Sequence, residues 1–240
     1  MPGHLGMFFV SGETGMLIIG HRGTAALEPE NTLLSVSRAL EIGVDAVEID
    51  VRMTRDNHLV VIHDDTVDRT TDGTGRVKAL DLGQIQRLNA GKGTKIPTLD
   101  EVFGFVGNRI TVFVELKEAG TEDAVVELIR KHDVFDTTVV ISFWHRLVVS
   151  AKQSDDRIKT GVLMVGCPVD TSVASAAQAD VLMMKYTFVD KDFVDIAHRD
   201  GMKLFVWNVD QLGLAESYAR MGVDGIGSND PRALVNRFKS

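Results

Sequence analysis

Short apolar runs alternate with amphipathic stretches along almost the whole chain. Runs at 17–20, 46–51, 110–115, 139–142, 159–164, 181–184, 204–207 and 225–227 are rich in Val, Ile and Leu and are bounded by polar or glycine-bearing segments. That is the pattern of strands buried on both faces. Apolar positions recur at helical spacing over 32–42, 100–106, 122–132, 146–153, 171–178, 191–200, 211–221 and 231–238. Strands and helices in alternation predict parallel strands joined by crossover helices. Eight such strands favour a closed (β/α)8 TIM barrel over an open doubly wound sheet.

One segment breaks the alternation. The run Leu59-Val60-Val61-Ile62-His63 follows Val51 after only a short polar stretch. A parallel crossover needs a dozen or more residues, so this strand must return antiparallel through a turn at Arg55-Asp56-Asn57. A long polar, glycine-bearing stretch follows, from Asp64 to Lys95. That length is unusual for a plain loop in a compact barrel and predicts a small insertion, about 52–97, beside the barrel mouth. The domain expected is 16–240. Residues 1–15, with Gly3, Gly6, Gly12 and Gly15, read as a loosely attached extension.

Polar residues collect at one end of this scaffold. His21 and Arg22 end the first strand, and Glu48 and Asp50 lie on the second. Glu115 and Lys117 end the third, and Trp207 and Asn208 end the seventh, with Ser228-Asn229-Asp230 after the eighth. All of these are carboxyl ends of strands, where barrel enzymes build their sites. Residues two apart on a strand face the same side, so Glu48 and Asp50 converge. Two buried carboxylates repel unless a cation or a shared proton joins them. With His21 and Arg22 close by, a metal-assisted site for an anionic substrate is the reading. Taken singly, the pairs read as surface contacts, a turn or structural salt bridges; their coincidence at one mouth is what makes a site.

Composition narrows this further. The chain has 240 residues and a formal net charge of −8, with no basic stripe for nucleic acid. Its one cysteine, Cys167, excludes an internal disulfide and fits a reducing compartment. No apolar run approaches the ~20 residues that span a bilayer. Without a signal-peptide pattern at Met1, the expected location is cytoplasmic, with no stable membrane insertion.

The ordered series His21-Arg22-Gly23, Pro29-Glu30-Asn31-Thr32, Glu48-Ile49-Asp50, His63-Asp64, Arg69-Thr70-Thr71-Asp72-Gly73-Thr74-Gly75, Ile96-Pro97-Thr98-Leu99 and Glu115-Leu116-Lys117 resembles the motifs of glycerophosphodiester phosphodiesterases. The resemblance runs from about Leu17 to the C-terminus. It implies a TIM barrel related to the phosphoinositide phospholipases C, with an insertion after the second barrel strand. It also implies metal-dependent hydrolysis of a glycerophosphodiester to sn-glycerol 3-phosphate and an alcohol.

By the same resemblance, Glu48, Asp50 and Glu115 match the family's metal ligands. An all-oxygen set suits one hard divalent cation, Mg²⁺ or Ca²⁺, with Mn²⁺ a further candidate. Arg22 and Lys117 match groups that neutralise the phosphate. His21 and His63 match the general base and general acid, with the order between them open. Trp207 and Phe143 are candidates for contact with the substrate. Three departures stand out, one of them Lys185, an extra cation after the sixth strand that could aid phosphate binding or cap a strand end in solvent. The segment 89–95 is short for the family, and Asn229 stands where Asp is common.

Two other readings stay in view. A lysophospholipase D on the same scaffold needs an apolar groove beside the site, for which Phe103, Phe105, Met164, Met183 and Met184 are available. A non-catalytic phosphate-ligand binding protein would not need two histidines beside a carboxylate trio.

Overall fold

A computed structural model describes residues 15–239 of the chain; the predicted extension, Gly15 apart, lies outside the described residues. Eight parallel strands form a closed ring: β1 (Leu17–His21), β2 (Ala46–Met53), β4 (Thr111–Leu116), β5 (Thr138–Ser142), β6 (Lys159–Met164), β7 (Val181–Lys185), β8 (Lys203–Trp207) and β9 (Gly225–Ser228). β1 hydrogen-bonds to both β2 and β9, which closes the barrel. The short β3 (Leu59–Val61) lies outside the ring, antiparallel to β2. Arg55-Asp56-Asn57 does make the turn between them, with Asn57 at φ 62°.

The helices are α1 (Leu33–Ile42), α2 (Leu82–Ile85), α3 (Leu99–Val106), α4 (Glu122–His132), α5 (His145–Ser154), α6 (Ser172–Ala176), α7 (Lys191–Arg199), α8 (Leu212–Met221) and α9 (Arg232–Phe238). α1 begins where the Thr32 hydroxyl accepts from the Ser35 amide and ends at Gly43, whose φ of 85° only glycine adopts without strain. α3 begins with a reciprocal pair between Thr98 and Glu101.

Side-chain alternation divides the strands between two cores. Leu17, Ile19, Ala46, Phe113, Val139, Ile141, Leu163, Val181, Met183 and Phe205 fill the lumen. Their immediate neighbours, such as Ile18, Val47, Ile49, Val112 and Val114, pack outward with the helices. The lumen is therefore a filled core, closed well below the mouth. Gly225 belongs to that economy of space, because a Cβ there would come 2.3 Å from the Phe205 ring.

Residues 64–98 form an appendage with a small core of its own. Ile62, Val67, Val77, Ile85, Ala90 and Ile96 pack there with Val60. Val61 N donates to Pro97 O (2.8 Å), tying the returning chain to β3.

The opposite end of the barrel is fastened by three aspartates, each just before a strand. The Asp45 carboxylate accepts from Ile18 N (2.8 Å), that of Asp180 from Thr160 N (2.8 Å) and that of Asp224 from Leu204 N (2.9 Å). Each also donates its own amide to the carbonyl of that same residue. A backbone N–H at the start of a strand would otherwise lack a partner, and the preceding Asp supplies one. Asp45→Ala should destabilise the protein by about 1–3 kcal/mol, the cost of an unsatisfied donor, read as a lower urea midpoint. An unchanged midpoint would show that water satisfies Ile18 N as well as the carboxylate does.

Candidate active site

The lumen-facing series on β2 reads Ala46, Glu48, Asp50; on β4 it reads Phe113, Glu115. The lower members of each series are core residues, and the next positions, closest to the mouth, are acidic. Register does the rest. His21 lies opposite Glu48, and Asp50 lies opposite Glu115. Glu48, Asp50 and Glu115 are all buried, and one oxygen from each lies within 4.8 Å of the others.

Two full cations face these three acids. Lys117 Nζ donates to Glu115 Oε1 (2.6 Å) and stands 3.5 Å from Asp50 Oδ1. Arg22 Nε is 3.3 Å from Asp50 Oδ2, and Arg22 N donates to Glu48 Oε2 (3.1 Å). Asn31 grips Asp50 twice: its Nδ2 donates to Oδ2 (2.8 Å) and its Oδ1 accepts from the Asp50 amide (3.2 Å).

The electrostatics record the shortage of positive charge. Burial, then Asp50 and Glu115, push Glu48 well above the carboxylate range. Burial and Asp50 push Glu115 up to about 7, against the pull of Lys117. For Asp50, burial is outweighed by Lys117, Arg22 and His63, which hold its carboxyl below the usual value. Glu48 Oε1 and Asp50 Oδ1 are buried with no hydrogen-bond partner. Converging carboxylates with orphaned oxygens match the donor set of a hard divalent cation, so these residues fit a metal. Such an ion would supply the missing charge.

The His-Arg-Gly turn makes this arrangement possible. Arg22 takes a left-handed backbone (φ 49°) and Gly23 another (φ 81°). A Cβ on Gly23 would lie 2.3 Å from Ser35 Oγ and 2.7 Å from its carbonyl carbon. Only glycine admits α1 this close. Ser35 Oγ in turn donates to Arg22 O (2.7 Å) and accepts from Thr24 N (2.7 Å).

The two histidines are held differently. His21 Nε2 lies 3.8 Å from Glu48 Oε2, while its Nδ1 faces Asn229 Oδ1 at 2.7 Å. Burial, then Arg22, draw its imidazole below the ordinary value. His63 lies just beyond β3 and turns its Nδ1 to Asp64 Oδ1 (2.7 Å). Arg69 clamps Asp64 and also Glu30, which in turn accepts from Arg22 Nη1 (2.8 Å). The appendage is thereby tied, through Glu30, to Arg22 at the mouth.

A cavity opens above the lumen core. His21, Arg22, Glu48, Glu115, Trp207 and Asn208 form its polar side. Ile19, Ile141, Leu163 and Met183 form its apolar floor. The exposed Phe143 ring meets Trp207 edge-on at 5.6 Å, placing both aromatics at the rim. Glu30 and Asn31 sit within a recognisable motif, but their contacts depend on folds of the chain that local pattern does not reveal. Asn208 and Asp210 carry no local signal beyond their place after a strand. Of the apolar residues considered for a groove, Phe103 and Met184 are core, and only Met183 reaches the cavity.

The comparisons with known proteins agree with this geometry. A family model described as the glycerophosphoryl diester phosphodiesterase family matches residues 21–233. A glycerophosphodiester phosphodiesterase of Caldanaerobacter subterraneus subsp. tengcongensis is 37% identical over 234 residues, covering 92% of this chain and 96% of that protein. An Oleispira antarctica phosphodiesterase, solved in complex with the product sn-glycerol-3-phosphate, superposes with a TM-score of 0.88 at 29% identity, covering 93% of this chain and 97% of that one. The glycerophosphodiester phosphodiesterase of Agrobacterium tumefaciens gives a TM-score of 0.83 at 26% identity, over 92% and 99% of the two chains. The family match runs from the last residue of β1 through β9 and spans Glu48, Asp50 and Glu115, and this chain belongs to the glycerophosphoryl diester phosphodiesterase family.

Proposed function

We propose that this chain hydrolyses glycerophosphodiesters to sn-glycerol 3-phosphate and an alcohol, with His21 as general base and His63 as general acid. The observation that carries the reading is the buried trio Glu48, Asp50 and Glu115, flanked by both histidines and by Arg22 and Lys117. The trio would hold one divalent cation, Mg²⁺ or Ca²⁺ with Mn²⁺ a further candidate. When bound, such an ion polarises the phosphoryl group and offsets charge on its oxygens.

The chain's own residues supply the remainder. Arg22 and Lys117 neutralise and orient the phosphate. His21, kept neutral by burial, takes the proton from the attacking hydroxyl, which belongs either to water or to the neighbouring glycerol carbon. In the second case a cyclic phosphodiester forms and a water then opens it to sn-glycerol 3-phosphate. His63, backed by Asp64, protonates the alcohol oxygen as its bond to phosphorus breaks. Trp207 and Phe143 bound the space for the substrate. Among the described residues no helix is long and apolar enough to cross a membrane, and the exposed free thiol of Cys167 suits a reducing cytoplasm.

A second reading has one observation in its favour. Phe143, Trp144 and Val165 are exposed, on the loops after β5 and β6. An apolar rim of this kind suits an acylated leaving group, as in a lysophospholipase D. Assays with lysophosphatidylcholine beside glycerophosphocholine separate the two, since a preference for the acylated substrate would replace the first reading with the second.

Release of glycerol 3-phosphate from glycerophosphocholine and glycerophosphoethanolamine should require added divalent ion and stop with chelator. Glu48→Gln should lower turnover about 10²–10³-fold and weaken ion binding by calorimetry. Turnover unaffected by chelator would overturn the metal assignment.

His21→Gln and His63→Gln should each lower kcat about 10²–10⁴-fold on the natural diester. With a p-nitrophenyl leaving group, which departs without a proton, the His63 variant should recover and the His21 variant should not. Recovery of His21→Gln instead would reverse the two roles.

Metal-free protein should lose stability as pH rises from about 4.5 to about 7. Glu48 and Glu115 are raised in the folded state, so folding favours their protonated forms. That contribution is complete below the unfolded value and disappears as pH climbs through the folded one. Glu115 alone is worth about 3 kcal/mol across this window. Urea midpoints in chelator should fall over this range, and Glu115→Gln should flatten the slope. A slope of the opposite sign would remove the repulsion on which the metal reading rests.

A further inference from the structure

We propose that Asp210 and Asn229 are positioning residues that hold His21 in the tautomer with hydrogen on Nδ1, leaving the Nε2 lone pair toward the carboxylate trio. The catalytic meaning of this rests on the role given to His21 above. The hydrogen bonding itself does not.

Donors and acceptors decide the matter. Asp210, just past β8, gathers three donors from the segment that ends β9. Its Oδ1 accepts from Ser228 Oγ (2.8 Å) and Asn229 N (2.6 Å), and its Oδ2 accepts from Asn229 Nδ2 (2.8 Å). Burial works against ionisation here, but these hydrogen bonds outweigh it and hold the carboxyl below its usual value. An ionised carboxylate only accepts. The amide end of Asn229 that faces Asp210 must therefore be its NH₂, and a half-turn of that amide would set oxygen against oxygen. Asn229 Oδ1 is then fixed toward His21 Nδ1, at 2.7 Å. A carbonyl oxygen accepts too, so Nδ1 must carry the hydrogen.

The neighbouring amide fits the same conclusion. Asn208 Nδ2 lies 3.1 Å from His21 Nδ1, while Asn208 Oδ1 is buried with no partner. With hydrogen on Nδ1, a half-turn of the Asn208 amide brings its orphaned oxygen to that N–H and directs its NH₂ into the cavity. One assignment at His21 thus settles both amides.

A neutral amide between Asp210 and the ring also has a chemical consequence. It transmits orientation without placing a full charge on the imidazole. The Nδ1–H bond is the same before and after Nε2 gains a proton, so no partner reorients during the transfer.

The test uses long-range ¹H–¹⁵N NMR of the full chain at pH 8, with the His21 ring assigned through His21→Gln, alongside kcat and KM for glycerophosphocholine. Wild type should show His21 with hydrogen on Nδ1. In Asp210→Asn the Asn229 amide is no longer locked, so both tautomers should appear and kcat should fall about tenfold with KM little changed. The double exchange Asp210→Asn with Asn229→Asp rebuilds the pair and again presents only acceptors to Nδ1. It should restore the single tautomer, with kcat recovering only in part because a charged carboxylate now stands at Nδ1 where wild type has a neutral amide. Hydrogen on Nε2 in wild type would overturn the proposal. So would a folded Asp210→Asn that keeps both the Nδ1 tautomer and full kcat. Should Asp210→Asn fail to fold, the double exchange decides alone, and two tautomers there would also overturn it. A wild type with hydrogen on Nδ1 but no turnover of any glycerophosphodiester would support the positioning and count against the proposed function.

Discussion

Three carboxylates cannot share a buried space without compensation, and the mouth of this barrel is organised around that constraint. Glu48, Asp50 and Glu115 point into the lumen because the strand period puts them there. Once they are buried, every neighbouring choice answers their repulsion. Arg22 and Lys117 bring charge, Asn31 brings two hydrogen bonds, and Arg22 N adds a backbone donor. Even so, Glu48 and Glu115 remain strained upward and two oxygens stay unpartnered. A site optimised for stability would replace such acids with apolar residues. Retaining them suits a site whose three acids could hold a cation.

Much of the ring was legible in the sequence because parallel strands buried on both faces appear as continuous apolar runs. The predicted strands 139–142 and 181–184 differ from the observed ones by a single residue at one end. Boundaries moved where tertiary pairing took over. β2 continues to Met53 rather than Val51, since Arg52 and Met53 pair with Val60 and Leu59. The strand expected over 59–63 ends as β3 at Val61, yet Ile62 N still reaches Asp50 O (2.9 Å). The helix expected over 171–178 is only Ser172–Ala176, and Gln178 beyond it takes a left-handed backbone.

The site was less legible, for a different reason. Periodicity places Glu48 and Asp50 on one side of a strand, but it says nothing about which residue of the next strand lies alongside. The pairings of His21 with Glu48 and of Asp50 with Glu115 come from register. The contacts of Asp210 with Asn229, and of Arg69 with Glu30, join segments far apart in the chain. No local pattern encodes them.

His63 stands apart from the other polar residues at the mouth, because β3 is no part of the closed ring. It is carried on an appendage with its own small core, fastened to the barrel through β2 and the Arg69 clamp. The ring and the appendage can therefore change under separate pressures. Substitutions in the small core can re-aim His63 while the ring keeps its hydrogen bonds and its carboxylates. Exchange of the whole appendage would replace His63 and its surroundings while the ring keeps its carboxylate trio unaltered.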